Sequence, residues 1–324
     1  MKTKILLTIL VSSFFILHSS FGQGALTPPG APAPTMKSLA QIEPRTPISS
    51  APYIISSPGS YYLTTNLTVS SGDAITIATN GVFLDLSGWT ISSSTASASA
   101  TYGVKINGGL KNLTIENGFI QSGVTNNGAA VYSGSGFGYG ISYVVPAPVN
   151  VLVSKVSVSG CLYDGINLGT GESEIVESCT VRTVGNGGIR ASTVKSSGAK
   201  DCGASAITGD QVSDCRGQSS SGGYGVYASA TALNCYGSSG TGVGLGAFVA
   251  LNCQGVSSTS YGIFADYNAQ NCYGSSTTGT GLYANNASFC TGYRSGGTAI
   301  QATIANGCIA ANGSTVITYK YNMP

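Results

Sequence analysis

Nine cysteines recur at a spacing that few folds can accommodate. They are Cys161, Cys179, Cys202, Cys215, Cys235, Cys253, Cys272, Cys290 and Cys308, separated by 18, 23, 13, 20, 18, 19, 18 and 18 residues. Their flanks repeat as well. Ala232-Leu-Asn-Cys235, Ala250-Leu-Asn-Cys253 and Ala269-Gln-Asn-Cys272 are successive versions of one phrase. A second phrase lies between the cysteines: Gly225-Val-Tyr-Ala228, Gly244-Leu-Gly-Ala247, Gly262-Ile-Phe-Ala265 and Gly281-Leu-Tyr-Ala284. Each unit thus holds two or three short period-2 strands joined by Ser/Gly/Thr turns. No unit carries a helical period.

A unit of about 18 residues cannot bury an apolar face alone, so its backbone groups must pair with those of the next unit. The expected fold is all-β: a single-stranded, right-handed parallel β-helix of about eleven coils over residues 50–324. Within a unit Ala232 points in, Leu233 points out, Asn234 turns the corner and Cys235 points in. Asn suits the corner because it tolerates the left-handed conformation. A narrow interior also accounts for the composition. The chain has 324 residues, 46 of them Gly, and only 8% are charged, against about 25% in an average domain.

With these repeats, Pro58–Leu63, Asp73–Ile77 and Val82–Ile91 resemble the first turns of right-handed β-helix proteins of the pectin-lyase-like superfamily. The Asn-Cys repeats look like a secreted bacterial subgroup without assigned activity. The resemblance implies a site on the outer face of one sheet. Enzymes of that superfamily often use Asp or Glu with Arg or Lys there, sometimes with calcium. It does not choose among lyases, hydrolases and non-catalytic adhesins, because one scaffold hosts them all.

Two readings of the cysteines are open. In the first they are buried, reduced thiols stacked as a cysteine ladder of small hydrophobes. In the second, a few bridge adjacent coils, although in-register side chains point the same way and strain such a bond. Asp201 and Asp214 stand where later units have Asn234, Asn252 and Asn271, so both are expected to begin the corner column. A site made of stacked carboxylates is the other reading.

Residues 1–22 read as a secretory signal: Lys2 and Lys4, then an apolar stretch from Ile5 to Leu17, then small residues before Gln23. The expected location is secreted, periplasmic or on the cell surface, with no membrane span after signal removal. Residues 23–49 read as a Pro-rich linker with a short helix over 35–43 that could cap the β-helix. Removal of the signal takes away Lys2, Lys4 and His18, the single histidine, leaving 12 basic and 12 acidic residues. That excludes His-dependent catalysis and His-ligated metal. The balance gives no support for nucleic-acid binding.

The variable position of the Gly-aliphatic-x phrase defines an outward stripe: Lys105, Ser142, Asn167, Arg190, Thr208, Tyr227, Gly246, Phe264, Tyr283 and Gln301. Asp164, Arg190 and Asp210 fall on or beside it in three successive coils and are the catalytic candidates. Asn167, Thr208, Tyr227, Phe264 and Tyr283 are the ligand-binding candidates, because exposed tyrosine offers a sugar ring both an apolar face and a polar tip. Glu172, Glu174 and Glu177 are expected to face another side. No metal site or cofactor is expected, with Ca²⁺ implied only under a lyase reading. The expected function is a non-catalytic scaffold that presents a surface to a polysaccharide or cell-envelope component. The alternative is a polysaccharide lyase or glycoside hydrolase. The oligomeric state is not read from the sequence.

Overall fold

A computed structural model describes residues 43–171 and 173–323. The expected signal segment, the Pro-rich stretch and, except for Glu43, the short helix over 35–43 fall outside the described residues. Among the described residues there are 32 strands and no helix. Thirty of the strands form one parallel ladder. It winds into a parallel β-solenoid of about 14 turns with three faces, here called the first, second and third sheets.

The expected eleven coils fall short because that count leaned on the cysteines. Five rungs of the second sheet precede Cys161. Thr46–Ile48 pairs with Tyr61–Leu63, the strand at 59–62 pairs with 82–85, and 113–116 and 151–154 follow. The first of these strands lies inside the stretch read as linker.

The first sheet stacks the Gly-aliphatic-x phrases. All ten stripe positions from Lys105 to Gln301 are in register, each paired with the next. Their neighbours Ile141, Ile166, Ile189, Ile207, Val226 and Leu245 point inward and are fully buried. Alternation of period 2 is what places one residue in the core and the next on the outer face.

The bend from the second to the third sheet explains the irregular cysteine gaps. Its corner column runs Lys155, Ser178, Ser196, Asp214, Asn234, Asn252, Asn271, Phe289 and Gly307, all with φ between 45° and 61°. The residue after each turns inward: Val156, Cys179, Ser197, Cys215, Cys235, Cys253, Cys272, Cys290 and Cys308 are all buried. Seven cysteines therefore form this ladder, with Ser197 standing where one is missing. Cys161 and Cys202 belong to the far end of the third sheet, where Cys161 pairs with Val184 and Val184 with Cys202. Asp201 is thus not part of the corner column with Asp214. It turns a different corner, alongside Gly160 and Thr183, which also have positive φ.

All nine cysteines are unbridged and buried. The ladder thiols donate to inward carbonyls, as Cys253 does to Leu251 at 3.1 Å and to Ala232 at 3.4 Å. The thiol of the preceding turn, together with burial, pushes Cys235, Cys253, Cys272 and Cys290 up to about 12. Cys215 heads this run and is shifted down, chiefly by its hydrogen bond with the Cys235 thiol. At the bend back to the first sheet, buried Ser239, Ser257 and Ser276 donate to carbonyls of Gly223, Gly242 and Ser260 at 2.6 Å. Each also accepts from an amide three residues on. A buried hydroxyl that both donates and accepts satisfies backbone groups that would otherwise be stranded in the turn.

An antiparallel hairpin, Gly123–Asn126 with Tyr132–Ser135, leaves the ladder and folds over its side. One oxygen of Asp201 holds it, accepting from Asn126 Nδ2 (2.6 Å), Tyr132 Oη (2.9 Å) and Ser220 Oγ (2.9 Å). The Tyr132 side chain lies against Gly185 with its Cβ and against Gly203 with its ring, where added side chains would meet it. Burial raises the Asp201 pKa, but the hydrogen bonds from Asn126, Ser220, Tyr132 and Thr183 more than offset this and leave it below the ordinary carboxylate range. Burial, together with the Asp201 charge, takes the Tyr132 phenol up to about 12. Asp201 is therefore a structural pin for the hairpin.

Candidate functional site

The residue before each Gly of the Gly-aliphatic-x phrase forms a rim beside the first sheet. Amide-to-carbonyl bonds fix its order through Tyr102, Tyr139, Asp164, Gly187, Ser205 and Tyr224. Aromatic rings thus occupy both ends of this stretch. Between them the rim carries a carboxylate, a bare backbone and a hydroxymethyl. Loss of side-chain volume over three turns opens a cleft of about 230 Å³ against the stripe.

Four of the eight candidate residues line this cleft: Asp164, Asn167, Arg190 and Thr208. Asn186 and Ser205 complete its polar wall. Asp164 is only 8% exposed. Its Oδ1 accepts from Asn186 Nδ2 at 2.7 Å and from the Gly187 amide at 3.0 Å. Its Oδ2 accepts from Asn167 Nδ2 at 2.9 Å. The Gly169 amide donates to Asn167 Oδ1, which fixes the orientation of that side-chain amide. Asp164 is accordingly an oriented acceptor whose oxygens are already engaged. Arg190 is exposed and forms no ion pair among the described residues. Among the described residues no salt bridge joins Asp164, Arg190 and Asp210.

Asp210 is outside the cleft. It is the single residue that turns the bend from the first to the second sheet, and its carboxylate accepts from Ser229 Oγ of the next turn. Glu174 lies on another sheet from the stripe, as expected, but it is buried. It pairs with Val151 on the second sheet and, like Val151, points inward; it is 1% exposed, and its Oε2 has no hydrogen-bond partner.

Rings flank the cleft on both sides. Tyr102 and Tyr139 stack with centroids 4.8 Å apart, and Tyr163 follows at 5.0 Å. Burial, then the nearby phenols and Asp164, raises the Tyr139 pKa. On the far side Tyr224 packs on Tyr227 at 4.9 Å. Phe264 and Tyr283 stack at 4.9 Å with ring planes 9° apart, and Tyr261 packs against both. Gly246 breaks the stripe between Tyr227 and Phe264, and the Tyr224 ring lies over the space its side chain would fill.

The sequence reading missed the rim rings Tyr102, Tyr139, Tyr224 and Tyr261. Their signal was present as a Tyr-Gly dipeptide repeated at the start of four phrases. A wider groove, about 760 Å³, lies elsewhere, along the Asn corner between Asp214 and Phe289. It is open and has no converging set of charges.

The chain matches no family model, and no curated protein or solved structure is similar to it.

Proposed function

We propose that this protein is an exported, non-catalytic scaffold that holds a polysaccharide of the cell envelope along its first sheet, on the plan of the pectin-lyase-like superfamily. The observation that carries this reading is the order of side chains along one face. A polar cleft of Asp164, Asn167, Asn186, Arg190 and Thr208 sits in register between two groups of packed rings. Rings that present a face to solvent can stack on sugars, while fixed amides and a carboxylate orient hydroxyls. The engaged oxygens of Asp164 and the position of Asp210 at a bend favour binding over acid-base chemistry, which needs a carboxyl within reach of the proton it moves.

Calorimetry and affinity electrophoresis with neutral and acidic polysaccharides test the reading. Binding is expected, and Tyr227→Ala combined with Tyr163→Ala should weaken it by about tenfold or more, the scale of one or two lost stacking contacts. Silence of the unaltered protein toward every polysaccharide would sink the glycan reading. Release of reducing ends or unsaturated products, lost in Arg190→Ala or Asp210→Ala, would replace the scaffold with the enzyme.

A further inference from the structure

The outer face of the third sheet carries a different feature. Its first outward column runs Ser157, Thr180, Gly198, Arg216 and Tyr236, each in register with the next. The second outward column runs Ser159, Arg182, Lys200 and Gln218. Three cations therefore surround one residue that has no side chain. Thr180 is one rung before Gly198 and Arg216 one rung after, at about 4.8 Å per rung. Lys200 is two residues along the same strand and so on the same face. The cavity they enclose is about 420 Å³.

Nothing in the backbone demands glycine at this position. Its φ is outside the left-handed region, and an added Cβ would meet only the Arg216 carbonyl, at 3.9 Å. Gly165, beside the first sheet, is different: an added Cβ there would come within 2.3 Å of the side chain of Val181, the neighbour of Arg182. Gly198 is therefore a gap in a side-chain column, left open without steric cause.

The cations are also free of carboxylates. Arg182, Lys200 and Arg216 make no ion pair among the described residues. The nearest acids in sequence are engaged at corners: Asp201 with the hairpin, and Asp214 with Asn234 Nδ2 at 3.0 Å. The Arg216 guanidinium lies 4.4 Å from the centre of the Tyr236 ring, which fixes its direction. Thr180 Oγ1 donates to Ser157 Oγ at 2.9 Å.

We propose that the Gly198 notch is an oxyanion site that takes a phosphate or sulfate group between Arg182, Lys200 and Arg216. A guanidinium fork matches two oxygens of a tetrahedral anion, and an ammonium adds a point charge. The site is on a different sheet from the proposed glycan face and does not depend on that reading.

Calorimetry and amide chemical-shift mapping at low ionic strength, with inorganic phosphate and inorganic sulfate as probes and chloride at matched ionic strength as the control, test the proposal. Saturable binding is expected, with shifts centred on Thr180, Gly198 and Arg216. Gly198→Leu should fill the notch without changing net charge and weaken binding by about tenfold or more. The double variant Arg182→Gln, Lys200→Gln should do the same, a scale set by losing charge-assisted hydrogen bonds. Gly198→Ser, which keeps most of the room, serves as the folding control and should retain binding. If Gly198→Leu folds and binds as the parent does, or if chloride competes as well as phosphate, the cations act only as a diffuse field and the proposal fails. Glucose 6-phosphate and glucose 6-sulfate identify the source of the group. Binding as tight as the free ion means an ester on a larger molecule, exclusion means the free anion, and both uphold the site.

Discussion

The two ends of the solenoid solve one packing problem with different materials. Before Cys161 a turn buries several large side chains, as Ile75, Ile77, Leu84, Leu86 and Ile91 show, and Phe137 is fully buried there too. Beyond Cys215 a turn is filled by one Ile, Leu or Val with Ala, Cys and Ser around it. Burial of a Leu or Phe contributes about 1.5–3 kcal/mol, and Ala far less. The early turns therefore rest on side-chain volume. The late turns rest on backbone pairing along the stack, on corner geometry and on polar groups satisfied inside the bends. Regular sequence marks the narrow end because a small cross-section leaves few ways to fill it.

The sharpest way to break this comparison is to remove volume at the wide end. Phe137→Ala should cost about 3–5 kcal/mol in denaturant unfolding. Cys253→Ala in the narrow end, losing a single heavy atom, should cost about 1 kcal/mol by the measure of Ile→Val changes. Equal losses would mean that the late thiols do more than fill space. Adding volume should reverse the order: Ala250→Leu should cost about 1–3 kcal/mol through overpacking. Next in size is Glu174→Val, which gives the buried carboxylate the side chain of its rung neighbour Val151. It should stabilise by about 1–3 kcal/mol, the cost of an unsatisfied buried polar group, and a lower melting temperature would show that Glu174 has a hidden partner.

Corner geometry gives a smaller effect. Asn252 sits at φ 52° with its amide bonded to Asn234, so Asn252→Ala should cost about 1–2 kcal/mol. Phe289 holds the same conformation two rungs on while 61% exposed, and Phe289→Asn should stabilise. The smallest effect is on pH. Asp201 has a folded-state value below the ordinary carboxylate, near 3.9. Its contribution is thus present above that value and lost as pH falls through the lower folded one. Proteolysis of the hairpin at 123–135 should rise below about pH 4 with the ladder intact, and Asp201→Asn should bring the same sensitivity to neutral pH. Thiol titration should show slow labelling in the native state and all nine on denaturation, because the thiolate is the reactive form.

Periodicity made the solenoid legible in the sequence, together with the inward Ala and Cys, the Asn corner and every residue of the outer stripe. Register follows directly when a short phrase repeats. Features that break the phrase were less legible. The early turns carry no cysteine, so their number was undercounted. Cys161 and Cys202 share a residue type with the ladder but occupy another corner, which carried Asp201 to the wrong column. Half of the candidate site was brought together, because Asp164, Asn167, Arg190 and Thr208 sit on adjacent rungs. Asp210 was not, since it lies two residues past Thr208 of the stripe, where the chain already turns the bend. The cationic notch escaped notice because a formal balance of 12 against 12 says nothing about where charges gather.

Variation in turn length is also unevenly placed. Between the first and second sheets the bend holds one residue at Asp210, Phe248 and Asn285, and two at Ser229-Ala230 and Asp266-Tyr267; register shifts fall there. The Asn-Cys corner keeps a constant length. Insertions and deletions should therefore survive at the first bend and be eliminated at the second. The first bend is then a row of permissive attachment points one rung apart, where a foreign loop could be carried without disturbing the stack that measures out their spacing.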